Sequence, residues 1–91
     1  MLRALFSDSD RKVDKMFAKG TAALADGQPV VAAMHLTEAY SALAQMKDPF
    51  AIPFQITIAT KLIEAYTMQG DMQEIAYWEG TIVELKRELG K

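Results

Sequence analysis

Residues 24 to 34 are LADGQPVVAAM, and they place a glycine and a proline two positions apart between two helical patterns. Gly27 can adopt the left-handed conformation that ends a helix. Pro29 is tolerated in the first turn of the next helix, where its missing N–H is not needed. Residues 66 to 76, YTMQGDMQEIA, repeat the arrangement around Gly70, 43 positions later. The sequence therefore predicts two helical hairpins in tandem.

Hydrophobic periodicity predicts an all-α fold of four helices in one domain over residues 1–91, with no segment that alternates as a strand does. We expect the helices over about residues 9–25, 29–47, 53–69 and 72–89. In each helix the predicted core residues recur at intervals of three and four: Val13, Phe17, Gly20 and Leu24; then Ala32, Leu36, Ala39, Leu43 and Met46; then Ile56, Ala59, Ile63 and Tyr66, with Ile58 and Leu62 beside them; and finally Ile75, Trp78, Ile82, Leu85 and Leu89.

Composition narrows the class of protein. With 91 residues, of which 51% are hydrophobic and 24% charged, the chain should fold as a single domain with a thin core. Its net charge of −2 argues against nucleic acid as a partner. The chain has no cysteine, so we expect a reducing, cytoplasmic location. Lys61 and Glu64 interrupt the most apolar stretch, so we expect no membrane span.

The residues that could carry catalysis or bind a metal are few. His35 is the single histidine, and Glu38 is the nearby acid on the same helix. A histidine at the edge of a buried stripe explains His35 without a metal. Gly27 and Gly70 stand alone, so no glycine-rich phosphate loop is present in the sequence. We therefore predict no catalytic residue, no metal, no cofactor and no enzymatic activity.

Both predicted hairpins carry large and small residues at the spacings of a known repeat family. They are Met16, Gly20, Ala23, Gly27, Ala32, Leu36 and Ala39 in the first hairpin, and Ala59, Leu62, Tyr66, Gly70 and Ile75 in the second. On this pattern the chain resembles the tetratricopeptide-repeat (TPR) proteins over about residues 13–89. The resemblance implies a right-handed stack of antiparallel helix pairs. A plain four-helix bundle of two hairpins satisfies the same periodicities and is the alternative.

The resemblance also implies a function and a site. In TPR proteins the first helix of each pair lines a groove that binds a helix or peptide, and some small members are chaperones for subunits of bacterial secretion systems. A non-enzymatic binding module or small chaperone is therefore expected. The resemblance places these residues in the groove: Phe17, Thr21, Leu24, Thr60, Glu64 and Thr67.

The fourth predicted helix has a wider apolar arc than one buried stripe requires. Beyond that stripe, Met72, Ala76 and Val83 form a second apolar edge. Helix-pair repeats usually need about three or more units for stability, and two are present here. We expect this edge to be covered by the N-terminal MLRALF segment, by a second copy of the chain or by another protein. A structural homodimer with no foreign ligand is the alternative function.

Overall fold

The computed structural model describes residues 8–91, with side chains from Arg11 onwards, as four α-helices and no strand. The helices are α1 (Asp8–Ala25), α2 (Pro29–Gln45), α3 (Ile52–Gln69) and α4 (Met72–Leu89), and a 3₁₀ turn (Pro49–Ala51) lies between α2 and α3. The predicted all-α fold is confirmed, with the four helices forming two hairpins, α1–α2 and α3–α4. The MLRALF segment lies outside the described residues.

The two corners are closed by the same pair of backbone hydrogen bonds. At the first corner Gly27 has φ 70°, its N–H donates to Leu24 at 3.1 Å, and the N–H of Gln28 donates to Ala23 at 2.8 Å. These are the two bonds of a Schellman motif, which satisfies the last free carbonyls of a helix. The corner at Gly70, where φ is 72°, repeats both bonds. The tandem corners inferred from the sequence are therefore the same local structure used twice.

The helix after each corner starts as its sequence predicts. Pro29 occupies the first turn of α2, and the Asp71 carboxylate accepts a hydrogen bond from the N–H of Glu74 at 3.2 Å at the start of α4. A carboxylate at this position satisfies a free N–H and lies at the positive end of the helix dipole.

The connection between the hairpins differs from the prediction at both ends. α2 ends at Gln45, two residues before the predicted end, and Lys47 adopts the left-handed region with φ 51°. Asp48 is extended, as expected before a proline, and its carboxylate accepts a hydrogen bond from the N–H of Phe50 at 3.0 Å. This bond caps the 3₁₀ turn, which lies between the predicted second and third helices. α3 then follows directly at Ile52.

The core face of α3 is centred differently from the prediction. Ile58 and Leu62, expected beside the stripe, are fully buried, whereas Ile56 and Ile63 are half-buried. The reason is that α3 packs against α2 on one side and α4 on the other, so its buried face is broad. The prediction that Leu89 lies in the core is also wrong, because 51% of its surface is exposed near the end of α4.

The helices form an open row. α2 packs on α1 and α3, α4 packs on α3, and α1 and α4 do not pack along each other over the described residues. A smaller contact joins α1 to α3, where the rings of Phe17 and Phe54 meet edge to face at 5.1 Å. A closed four-helix bundle would bring α1 against α4. Among residues 8–91, each end helix of this row instead has one face without a helical neighbour.

The first hairpin depends on a close approach at Gly20. A Cβ built on Gly20 would lie 2.6 Å from Cγ and 2.8 Å from Cδ2 of Leu36, which is fully buried. Real Cβ atoms essentially never come this close to another heavy atom. Only glycine fits at this position without a shift of the Leu36 side chain or of the two helices.

We predict that Gly20→Ala lowers the free energy of unfolding by about 1–3 kcal/mol, because overpacking forces side-chain or backbone shifts. Gly80→Ala in α4 is the matched control, since a Cβ there meets no described heavy atom within 4 Å outside the adjacent backbone of α4. It should raise the free energy of unfolding by about 1 kcal/mol through helix propensity. Urea denaturation with unchanged m-values would measure both. Equal effects of the two substitutions would contradict the packing of α1 on α2.

Candidate functional site

The groove residues taken from the resemblance lie on α1 and α3, in two groups that are displaced along the helix axes. Phe17 packs on Phe54, which precedes Thr60 by six residues, about 9 Å along an α-helix. Phe17, Thr21 and Leu24 are half-buried, whereas Thr60, Glu64 and Thr67 are exposed.

The polar groups of this predicted groove are engaged within their own helices. Thr21, Thr60 and Thr67 each donate the hydroxyl proton to the carbonyl oxygen four residues earlier. The Glu64 carboxylate lies 3.6 Å from the Lys61 ammonium. A partner would therefore meet methyl groups and acceptor oxygens here rather than free hydroxyl donors.

A cavity not predicted from the sequence lies between α2 and α4. It has a volume of about 490 Å³, and a neighbouring cavity of about 310 Å³ shares Leu85 and Glu88 with it. We call this pair of cavities the α2–α4 groove. The first part is lined by Tyr40, Tyr77, Gly80, Thr81, Glu84, Leu85 and Glu88, and the second continues to Lys47, Asp48, Pro49, Ile52 and Gln55.

One buried tryptophan positions both tyrosines of the groove. Trp78 is only 5% exposed and is the single buried residue of α4. Its ring meets Tyr40 of α2 edge to face at 4.9 Å and Tyr77 at 5.0 Å. Aromatic pairs in this geometry are favourable beyond the area they bury. The rings of Tyr40, Trp78 and Tyr77 therefore join α2 to α4. These large side chains set the distance between the two helices, whose backbones do not come into close contact.

The surroundings of Tyr40 raise the pKa of its phenol. Burial raises the pKa of Tyr40, the Gln55 side chain opposes the rise, and Tyr77 adds to it. Burial likewise raises the pKa of Tyr66, with a further rise from the Glu74 carboxylate. A raised pKa means that the folded chain holds the phenolic proton more tightly than the unfolded chain does.

Gly80 lies at the edge of the groove, at a position where the packing of the described residues does not require glycine. Gly80 is in the interior of α4, where glycine costs about 1 kcal/mol relative to alanine. Apart from the adjacent backbone of α4 itself, no described heavy atom lies within 4 Å of a Cβ built there, in contrast to the crowded position of Gly20. The packing within the described residues therefore does not require glycine at this position, and the exposed backbone is open to close approach from outside.

The second predicted surface lies on the side of α4 opposite Trp78. Met72 is 72% and Val83 52% exposed, and Ala76 is exposed between them. Gly80 and Arg87 complete the same row, which we call the α4 outer face. No other part of residues 8–91 packs on the three apolar residues extensively enough to bury them.

His35 remains without a site of its own. It is half-buried, and its Nδ1 has no hydrogen-bond partner among the described residues. Glu38 instead lies 4.0 Å from the Lys12 ammonium on α1. Within residues 11–91 no three histidine or acidic side chains are grouped closely enough to hold a metal ion. In the same range no helix has the length and apolar character needed to cross a bilayer.

Comparison of the chain with models of known protein families, with curated proteins and with solved structures finds no significant match.

We predict that Tyr40 and Trp78 are energetically coupled by about 0.5–1.5 kcal/mol. A double-mutant cycle of Tyr40→Leu and Trp78→Leu, measured by urea denaturation, should give this coupling because the ring contact exists only when both residues are present. The pair Met34→Leu and Trp78→Leu is the control and should be additive. Zero coupling between Tyr40 and Trp78 would contradict the joining of α2 to α4 through this contact.

We also predict that stability falls at alkaline pH. Below the ordinary tyrosine pKa of 10.0 both states keep their phenolic protons, and pH has no effect through these groups. Above it the unfolded chain releases protons that folded Tyr40 and Tyr66 retain, so unfolding becomes more favourable as pH rises. Denaturation at about pH 9 and about pH 11 should reveal the loss, and Tyr40→Phe should reduce it. An unchanged slope in that variant would be inconsistent with a raised pKa at Tyr40.

Proposed function

We propose that the chain is a non-enzymatic protein-interaction module that binds a helix or extended segment of a partner protein in the α2–α4 groove. The observation that carries this proposal is the open, largely apolar groove itself, with two tyrosines held in its wall by Trp78. Apolar grooves between helices are a common binding mode for amphipathic helices, which anchor through residues on one face.

The chemistry of the groove favours a segment with an apolar face and a basic flank. Leu85 and the tyrosine rings supply apolar contact area, and tyrosine is enriched at interfaces because it combines that area with a polar tip. Glu84 and Glu88 form the acidic rim. Their carboxylates lie 2.6 Å from Arg87 and 3.1 Å from Lys91, in exposed pairs that a basic partner residue can join at little cost.

Gly80 supports close docking along this groove. A bare backbone lets a partner helix approach as closely as α1 approaches α2 at Gly20, where the Leu36 side chain fills the space of the missing Cβ. Close approach increases the dispersion contact made by each residue of the partner.

The TPR resemblance supports the same class of function, with the predicted α1–α3 surface as a second place for a partner. A chaperone that covers an aggregation-prone segment of another protein is one specific form of this module. The absence of cysteine from the chain is compatible with work in a reducing cytoplasm.

The test uses Thr81→Trp, a substitution that places an indole in the groove. Thr81 lines the cavity and is half-buried, so the larger side chain has space in the free protein and occupies the volume a partner would use. Proteins co-purifying with the tagged wild type and variant are compared by quantitative mass spectrometry. A recovered partner is then made recombinantly and titrated by calorimetry.

We expect Thr81→Trp to lower the affinity for that partner by at least about tenfold, the loss typical of a blocked central contact. Met68→Glu on α3 is the control and should bind like the wild type, since Met68 is exposed and does not line the groove. Equal binding by Thr81→Trp and wild type would refute the α2–α4 groove as the binding site.

A further inference from the structure

The α4 outer face is a second surface on the same helix, and its apolar residues Met72, Ala76 and Val83 do not line the α2–α4 groove. Two large apolar side chains, Met72 and Val83, are exposed on it together with the small residues Ala76 and Gly80. Arg87 ends the row, its guanidinium 2.6 Å from the Glu84 carboxylate. The face extends for about 23 Å along α4.

We propose that the α4 outer face is the interface of a homodimer in which the α4 helices of two copies pack antiparallel. In this dimer Val83 of each copy lies on the bare backbone of Gly80 of the other. Gly80 and Val83 are three positions apart on one face of the helix, so a two-fold axis midway between them makes both contacts at once. The Leu36 side chain against Gly20 is the same kind of contact inside the chain.

Charge selects the antiparallel direction. Glu79 and Lys86 lie along one edge of the face, and neither has an ionic partner within 4.0 Å among the described residues. With the axis between positions 80 and 83, Glu79 comes within about 3 Å, measured along the helix axis, of Lys86 of the second copy. Both copies make this pair. A parallel arrangement in register would instead place Glu79 beside Glu79 and the two helix dipoles side by side.

The second copy is the occupant that these residues specify. The same face supplies both halves of each contact, the valine with the glycine and the acid with the base, which is the property of an isologous interface. A single helix pair buries an area near the low end of stable interfaces, so we expect a dissociation constant in roughly the micromolar range.

Sedimentation equilibrium of the full chain tests the dimer. Between about 1 and about 500 µM the mass should rise from 10.1 kDa towards twice that value. Val83→Glu should raise the dissociation constant by at least about tenfold, because a carboxylate cannot be desolvated against the Gly80 backbone without cost. Met68→Glu on α3 is matched in exposure, at 52% for both residues, and should leave the mass unchanged.

A charge exchange tests the direction of the pairing and does not depend on how Val83→Glu folds. Glu79→Lys and Lys86→Glu should each weaken the dimer, whereas the double variant should restore it. A wild type that stays monomeric throughout, a dimer that tolerates a folded Val83→Glu, or a double variant no better than the single ones would overturn the proposal. Neither Glu79 nor Val83 lines the α2–α4 groove, so partner binding there is measured separately.

Discussion

The contact between Leu36 and the bare backbone of Gly20 sets the spacing of α1 and α2. Small residues at the other contacts of α2 and α3 have the same effect on helix spacing. Ala32 and Ala39 on α2 and Ala59 and Ala65 on α3 are all fully buried. Helices with small side chains at the contact approach closely. A chain of this size therefore fills its thin core with few large side chains, because the backbones themselves lie near one another.

α4 is attached in a different way, and its free surfaces follow from that difference. It packs along α3, and Trp78 is its single buried residue. The edge-to-face contact with Tyr40 spans the distance to α2 with two large rings instead of two small residues. Because these rings hold the backbones of α2 and α4 apart, a groove remains between the two helices. The α2–α4 groove is therefore a consequence of aromatic packing at the end of a row that is otherwise packed through alanine and glycine.

The parts of this structure that depend on local sequence could be predicted, and those that depend on pairing between distant helices could not. Gly27 and Gly70 end their helices by backbone conformation alone, so both corners follow from a few neighbouring residues. The core face of α3 depends on which helices flank it, so a single stripe placed Ile58 at the side when it lies at the centre. The groove needs Tyr40 beside Trp78, a pairing that no periodicity within one helix reveals. Gly80 was the one indication of this surface in the sequence. A glycine inside a helix, away from any turn, suggests that another group packs closely against the backbone there.

The groove and the α4 outer face share Gly80. A partner that docks on the Gly80 backbone would compete with the second copy, whereas a partner that contacts the tyrosines and Leu85 can bind the dimer. An antiparallel pair of α4 helices has its two-fold axis perpendicular to the plane of the pair, and such an axis keeps each flank of a helix on its own side. Both α2–α4 grooves of the proposed dimer would then open on one side, running in opposite directions. Two such sites favour a partner that presents its segment twice, because the second binding event becomes intramolecular and gains effective concentration. A modest groove on a monomer would thereby become a stronger site on the dimer without any new contact.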